Sequence, residues 1–219
     1  MSSAATPPSE RSRVRRHSER GRYDRESLHS ILDEGLVAHV GIAVDGQPFV
    51  LPMAYARDGD RLVLHGSVAS RLLRTLSSGV PACATVTLLD GLVLSRSSFH
   101  HSMNYRSAVV LGTARRIPDP DEAAAAMDAL VDHVLPGRAA EVRPPDAGEL
   151  RQTAVLELPI DEASVKVRTG GPNDDPGDRD LPVWAGVLPL ALRAGEPVPE
   201  PDLPEGVGPS DAVRSWRRP

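Results

Sequence analysis

The chain has 219 residues, 40% of them hydrophobic, which is enough for one well-buried domain with tails. Its 25 basic and 30 acidic residues leave a net charge of −5, arguing against a generic nucleic-acid binder, which carries a basic face. No apolar run reaches the ~20 residues of a membrane span or forms a secretory leader, and the single Cys83 excludes an intramolecular disulfide and an all-cysteine zinc site.

The expectation is a cytoplasmic protein with no nucleic-acid or membrane partner. Aromatics make up only 3%, so Val, Leu and Ala must fill the core, and Lys166 is the only lysine. Residues 1–21 carry most of the basic run "RSRVRRHSERGR" in a Ser/Pro-rich setting and read as a disordered arm.

"YDRESLHSILDEG" then reads as a helix, with Asp24 as N-cap, Leu28, Ile31 and Leu32 on one face, and Gly35 as its stop. The period next changes to that of strands. Leu36–Val44, Phe49–Arg57 and Arg61–His65 are predicted to form an antiparallel meander, because Asp-Gly turns separate them. A short helix follows, with Leu72, Leu73 and Leu76 on one face and Gly79 at its end. "PACATVTLLDGLVLSRSSF" reads as two strands around the turn "LDGL", and "YRSAVVLGTARRI" as one long strand. "DPDEAAAAMDALVDHVLPG" has the opening acids, alanine run and Pro-Gly stop of a helix. "TAVLELPI" and "ASVKVRTG" close the strand series. Beyond Gly170 only "LPVWAGVLPL" is apolar, and residues 191–219 read as a Pro-rich, disordered tail. Strands without βαβ alternation or a G-x-G-x-x-G turn point to a mainly β barrel with peripheral helices, not a dinucleotide fold.

Chemistry-bearing residues gather in a few places. Ser67, Ser70 and Arg71 stand where a strand passes into a helix, a setting that suits a phosphate but is equally served by simple capping. Lys166 and Arg168 lie two apart on one strand face and repel unless an anion or nearby acids separate them. "SFHHSMNYRS" is a polar knot between two apolar runs; on a strand edge or hairpin, His100 and His101 would point to opposite faces. No hydrolytic triad is nominated, and the histidines lack the third ligand of a structural zinc site, so no metal site is assigned.

Taken in order, "HVGIAVDGQPFVLPMAYARDGDRLVLHGSVASRLLRTLSSG" and "CATVTLLDGLVLSRSSFHHSMNYRSAVVLGTARRI" resemble the pyridoxamine 5′-phosphate oxidase-like split-barrel flavoproteins. The "DG-x-P…P-x-x-Y" hairpin, the "HG" after the third strand and "NYRSAVVLG" carry the likeness, most closely to the nitroimidazole-resistance branch. It spans about Arg22 to Leu190.

The resemblance implies a six-stranded antiparallel split β-barrel over residues 22–190 that binds FMN as a homodimer. It places Pro52, Met53, Ala54, Tyr55 and His65 along the flavin, and Ser70 and Arg71 at its phosphate. Asn104, Tyr105, Arg106 and Ser107 would come from the dimer partner, with Lys166, Arg168 and Trp184 completing the site. His65 is the candidate proton donor. The implied activity is an FMN-dependent oxidoreductase acting on a small molecule, with NAD(P)H as a candidate donor. The alternatives are haem binding or breakdown, with His65, His100 or His101 on the iron, a flavin-binding protein without turnover, or a deazaflavin cofactor. The substrate-phosphate signature of the true oxidases is not evident, which puts vitamin oxidation in doubt.

Overall fold

The computed structural model describes residues 6–217. Residues 1–5 of the expected arm and 218–219 of the expected tail lie outside that range. Ten strands are described: β1 (Gly21–Arg22), β2 (Val37–Val44), β3 (Gln47–Asp58), β4 (Arg61–Ser67), β5 (Pro81–Leu94), β6 (Ser102–Thr113), β7 (Arg115–Arg116), β8 (Thr153–Pro159), β9 (Glu162–Arg168) and β10 (Gly186–Pro189). The helices are α1 (Arg25–Glu34), α2 (Arg71–Ser77), α3 (Pro120–Val134), α4 (Ala147–Gln152) and α5 (Asp211–Arg214). The expected barrel had six strands. The surplus comes largely from short additions, since β1 and β7 have two residues each and β10 has four.

The chain divides into two compact units. The first comprises residues 1–35, 84–111 and 161–191. Its strands run in the order β1-β9-β6-β5, with β10 on β5. Asp24 caps α1 as its sequence requires, accepting the Ser27 N–H at 2.8 Å. Leu28, Ile31 and Leu32 are buried on the inner face of that helix, which packs on β9. Each such burial contributes roughly 1.5–3 kcal/mol. Within the basic segment before β1, Arg11 donates to Glu162 at 2.7 Å and the Tyr23 hydroxyl accepts from the Val14 N–H at 2.8 Å. Composition reads that stretch as disordered; an acid on β9 and a phenol give it partners.

One element departs from its sequence pattern. Asp90-Gly91 was expected to turn, yet β5 continues through it for 14 residues. Gly91 does not take a positive φ. It serves a close approach instead: a Cβ there would lie 3.0 Å from the Leu188 carbonyl of β10.

The second unit comprises residues 36–83, 112–160 and 192–219. Its strand order is β2-β3-β4-β8-β7, with every pairing antiparallel. Asp45-Gly46 behaves as expected, both residues at positive φ (51° and 77°) in the two-residue loop between β2 and β3. The core gathers Ala56, Val63 and Val155 from the strands, Ile117, and Ala123, Ala126 and Leu130 of α3. The segment expected as a disordered tail carries α5, and Trp216 donates its indole N–H to the Val134 carbonyl at 2.9 Å.

Candidate functional site

The residues proposed for a ligand fall into both units, and each unit's set stands on its own geometry. In the first unit, β6 and β9 pair so that Tyr105 faces Arg168 and Ser107 faces Lys166. Arg168 is buried, 9% exposed, and donates to the Asn104 amide oxygen and to the Gly170 and Gly171 carbonyls at 3.3 and 3.2 Å. No carboxylate lies within ion-pair distance of it among the described residues. Burial, with repulsion from Arg20 second, pulls the Arg168 guanidinium below its ordinary range. The structure therefore joins two expected residues, Asn104 and Arg168, into one buried, cationic, uncompensated group. Lys166 lies on the same strand face by alternation, and its backbone carbonyl accepts from Ser107 Oγ at 3.3 Å.

Arg106 is different. It donates to both oxygens of Glu34, one of them at 2.8 Å, and to Asp90 at 2.8 and 3.1 Å. Those hydrogen bonds hold its pKa well above the ordinary arginine value. Expected at the cofactor, Arg106 is instead spent on tying α1 and β5 to β6. Trp184, also expected there, is 66% exposed, with its ring over Gly186 at the start of β10.

A further cluster lies just before β6. Asp174 accepts from the Ser95 hydroxyl, the Arg96 guanidinium and the Arg96 N–H, the last at 3.1 Å. These bonds, the Ser95 hydroxyl first, hold its carboxyl down to about 2. Ser95 in turn accepts from the Ser97 N–H at 3.2 Å. His100 Nε2 faces Asp175 at 3.2 Å, and His101 Nδ1 lies 2.8 Å from the Ser97 carbonyl. The sequence offers nearby acids, Asp174 and Asp175 among them, only as generic partners for Lys166 and Arg168. Asp174 serves the histidine turn, and its 79-residue separation from Ser95 left no local signal.

In the second unit, Leu51, Pro52 and Ala54 are exposed on β3. Tyr55 is fully buried, its ring 4.9 Å from that of His133 on α3; it is a core residue, not a surface one. His65 pairs with Val155 of β8. Its Nδ1 is buried without a hydrogen-bond partner, and burial lowers its pKa, favouring the neutral ring. Ser70 is the N-cap of α2 but makes no side-chain cap bond. Arg71 lies over the Phe49 ring, 4.1 Å from its centroid. Among the described residues no group of three His, Cys, Asp or Glu side chains is placed to hold a bare metal ion, and no helix is long and apolar enough to cross a membrane.

The family model described as pyridoxamine 5′-phosphate oxidase matches residues 24–167. The chain belongs to the pyridoxamine 5′-phosphate oxidase family. None of the curated proteins matches it. Among solved structures, the flavocytochrome Anf3 from Azotobacter vinelandii is 41% identical, with 98% of this chain and 100% of that one covered at a TM-score of 0.91. An FAD and heme binding protein from Mycobacterium smegmatis is also 41% identical, over 89% of this chain and 96% of its own, at 0.85. A protein from Bacteroides thetaiotaomicron named for 5-nitroimidazole antibiotic resistance is 26% identical over 67% of this chain and 86% of that one, at 0.57. This member of the oxidase family thus has the mainly β split-barrel fold read from its sequence, with ten strands in place of six.

Proposed function

We propose that this family member is a flavin-binding redox protein acting on a small molecule. The observation that carries the reading is Arg168: a buried guanidinium held by an amide and two carbonyls, with no carboxylate beside it among the described residues. A buried charge without a counter-ion is costly, and burial and then Arg20 both act against the Arg168 charge, with Tyr105 a smaller influence in its favour. A flavin brings negative charge, at its phosphate and on the ring once reduced. A bound flavin supplies hydride and single-electron transfer. The chain's part is to hold Arg168 and Asn104 in place and, through the cation, to favour the reduced anionic state. Lys166 adds a second positive charge on the same strand face.

The resemblance implies FMN, whereas one 41%-identical relative is named for FAD, which favours FAD as the resident form. Exposed apolar residues in each unit, Val50 and Leu51 in one and Phe99 and Trp184 in the other, suit the homodimer expected for the family. NAD(P)H is the candidate electron donor, and His65, half-buried, remains the candidate proton donor once its ring has taken up a proton.

A second reading has its own support: both 41%-identical relatives carry haem in their names, one as a flavocytochrome. The residues present fit such a group, because His101 presents an exposed imidazole whose other nitrogen is already bonded. On this reading the chain carries electrons between flavin and haem.

Purification tests both. The expected product absorbs as a flavoprotein, releases FAD or FMN on denaturation, and elutes as a dimer. Loss of Arg168 in Arg168→Gln should weaken flavin binding while the fold persists. A colourless protein that takes up neither FMN nor FAD overturns the flavin reading.

A further inference from the structure

An imidazole that binds iron uses one ring nitrogen and keeps its proton on the other. An acceptor fixed at that second nitrogen selects the coordinating tautomer in advance and makes the ligand more basic. The three histidines open to this role differ in what their rings already do. His65 has a buried Nδ1 without an acceptor. Coordination through its Nε2 would leave an N–H buried and unpaired. His100 directs Nε2 at the Asp175 carboxylate, 3.2 Å away, and sets its ring edge-on to Phe99. Its ligating nitrogen is occupied.

His101 has the required arrangement. Its Nδ1 lies 2.8 Å from the Ser97 carbonyl, and a carbonyl only accepts, so Nδ1 carries the hydrogen and Nε2 the lone pair. The carbonyl itself is anchored. The Ser97 N–H donates to Ser95 Oγ, and Ser95 donates to the buried Asp174. A carboxylate 73 residues downstream in sequence thus steadies the backbone that fixes the ring. Phe99 and Met103, flanking His101, are 86% and 52% exposed, an unusual amount of apolar surface around one polar side chain. A macrocycle with apolar faces and a largely apolar edge would cover such surface.

We propose that His101 Nε2 is the protein ligand to a haem iron, with Ser97, Ser95 and Asp174 as its positioning residues. The proposal rests on the haem reading above. It is tested on the full chain, purified without haem and titrated with haemin, while the far-UV circular dichroism of each preparation reports that the variant is folded. Wild type should develop a shifted Soret band. His101→Ala should lose it, and His101→Gly should regain it when imidazole is added. His65→Ala and His100→Ala should keep it. Ser95→Ala should retain a His-ligated spectrum with affinity down by about 10-fold. A wild-type Soret band and affinity in His101→Ala would overturn the assignment, as would their loss in His65→Ala or His100→Ala alone. Wild type that takes up no haemin would remove the haem reading itself, and this proposal with it.

Discussion

Arg106 and Arg168 belong to the same unit and sit on neighbouring strands, yet they have opposite surroundings. Arg106 meets two carboxylates, Glu34 and Asp90, and is raised in pKa by them. Arg168 meets an amide and two carbonyls, and is lowered by burial. Both were expected at the cofactor on sequence grounds. A cation whose donors end on acids is already neutralised within the fold, whereas one whose donors end on neutral oxygens keeps its charge available. The resemblance nominated both; their partners separate an arginine neutralised within the fold from one whose charge stays open to a ligand.

The comparison breaks most readily at Arg106. Arg106→Ala leaves two partly buried carboxylates facing each other, and denaturant unfolding should show a loss of about 2 kcal/mol. Flavin affinity of the remaining folded protein should be close to wild type. Arg168→Gln should reverse the pattern: apo stability unchanged to within about 1 kcal/mol, since an uncompensated charge leaves the interior, but flavin affinity down about 10-fold by fluorescence titration. If the two variants gave the same pair of effects, the distinction between the two arginines would fail.

A smaller effect concerns acid. The Asp174 carboxyl is held to about 2, below its unfolded range near 4, so its stabilisation is complete above about pH 4 and lost as pH falls toward 2. Asp174→Asn should flatten that part of the stability profile in a pH-dependent melt and leave the neutral region parallel to wild type. Smallest of all, Arg71→Ala should weaken FMN or FAD a few-fold more than riboflavin, because riboflavin lacks the phosphate. Equal losses would assign Arg71 to its contact with Phe49 alone.

What the sequence revealed follows distance along the chain. Asp24 caps α1 through a residue three positions away, and Asp45-Gly46 turns β2 into β3 within two residues; both were read correctly because the chemistry is local. The local strand pattern likewise located β6 and β9. Asp90-Gly91 misled because the same dipeptide that makes turns also permits close strand contact, and its partner, β10, lies almost a hundred residues on. The neutralisation of Arg106 by Glu34, 72 residues away, and the bond from Arg168 to Asn104, 64 away, had no local trace either. Tyr55 was judged by its place in a motif, while its burial depends on α3, a helix from a distant segment.

Gly91 shows how far such dependence reaches. Opposite it, Pro189 pairs in register, and a methyl group at 91 would crowd both the Leu188 carbonyl and a Val187 methyl, 3.0 and 3.1 Å away. Trp184 stands two residues before that strand. The placing of Trp184 therefore hangs on a hydrogen atom, at a position with no charge, no nucleophile and no ligand of its own. Mutational intolerance at 91 would reflect geometry alone, and a survey that equated intolerance with chemistry would misplace the site.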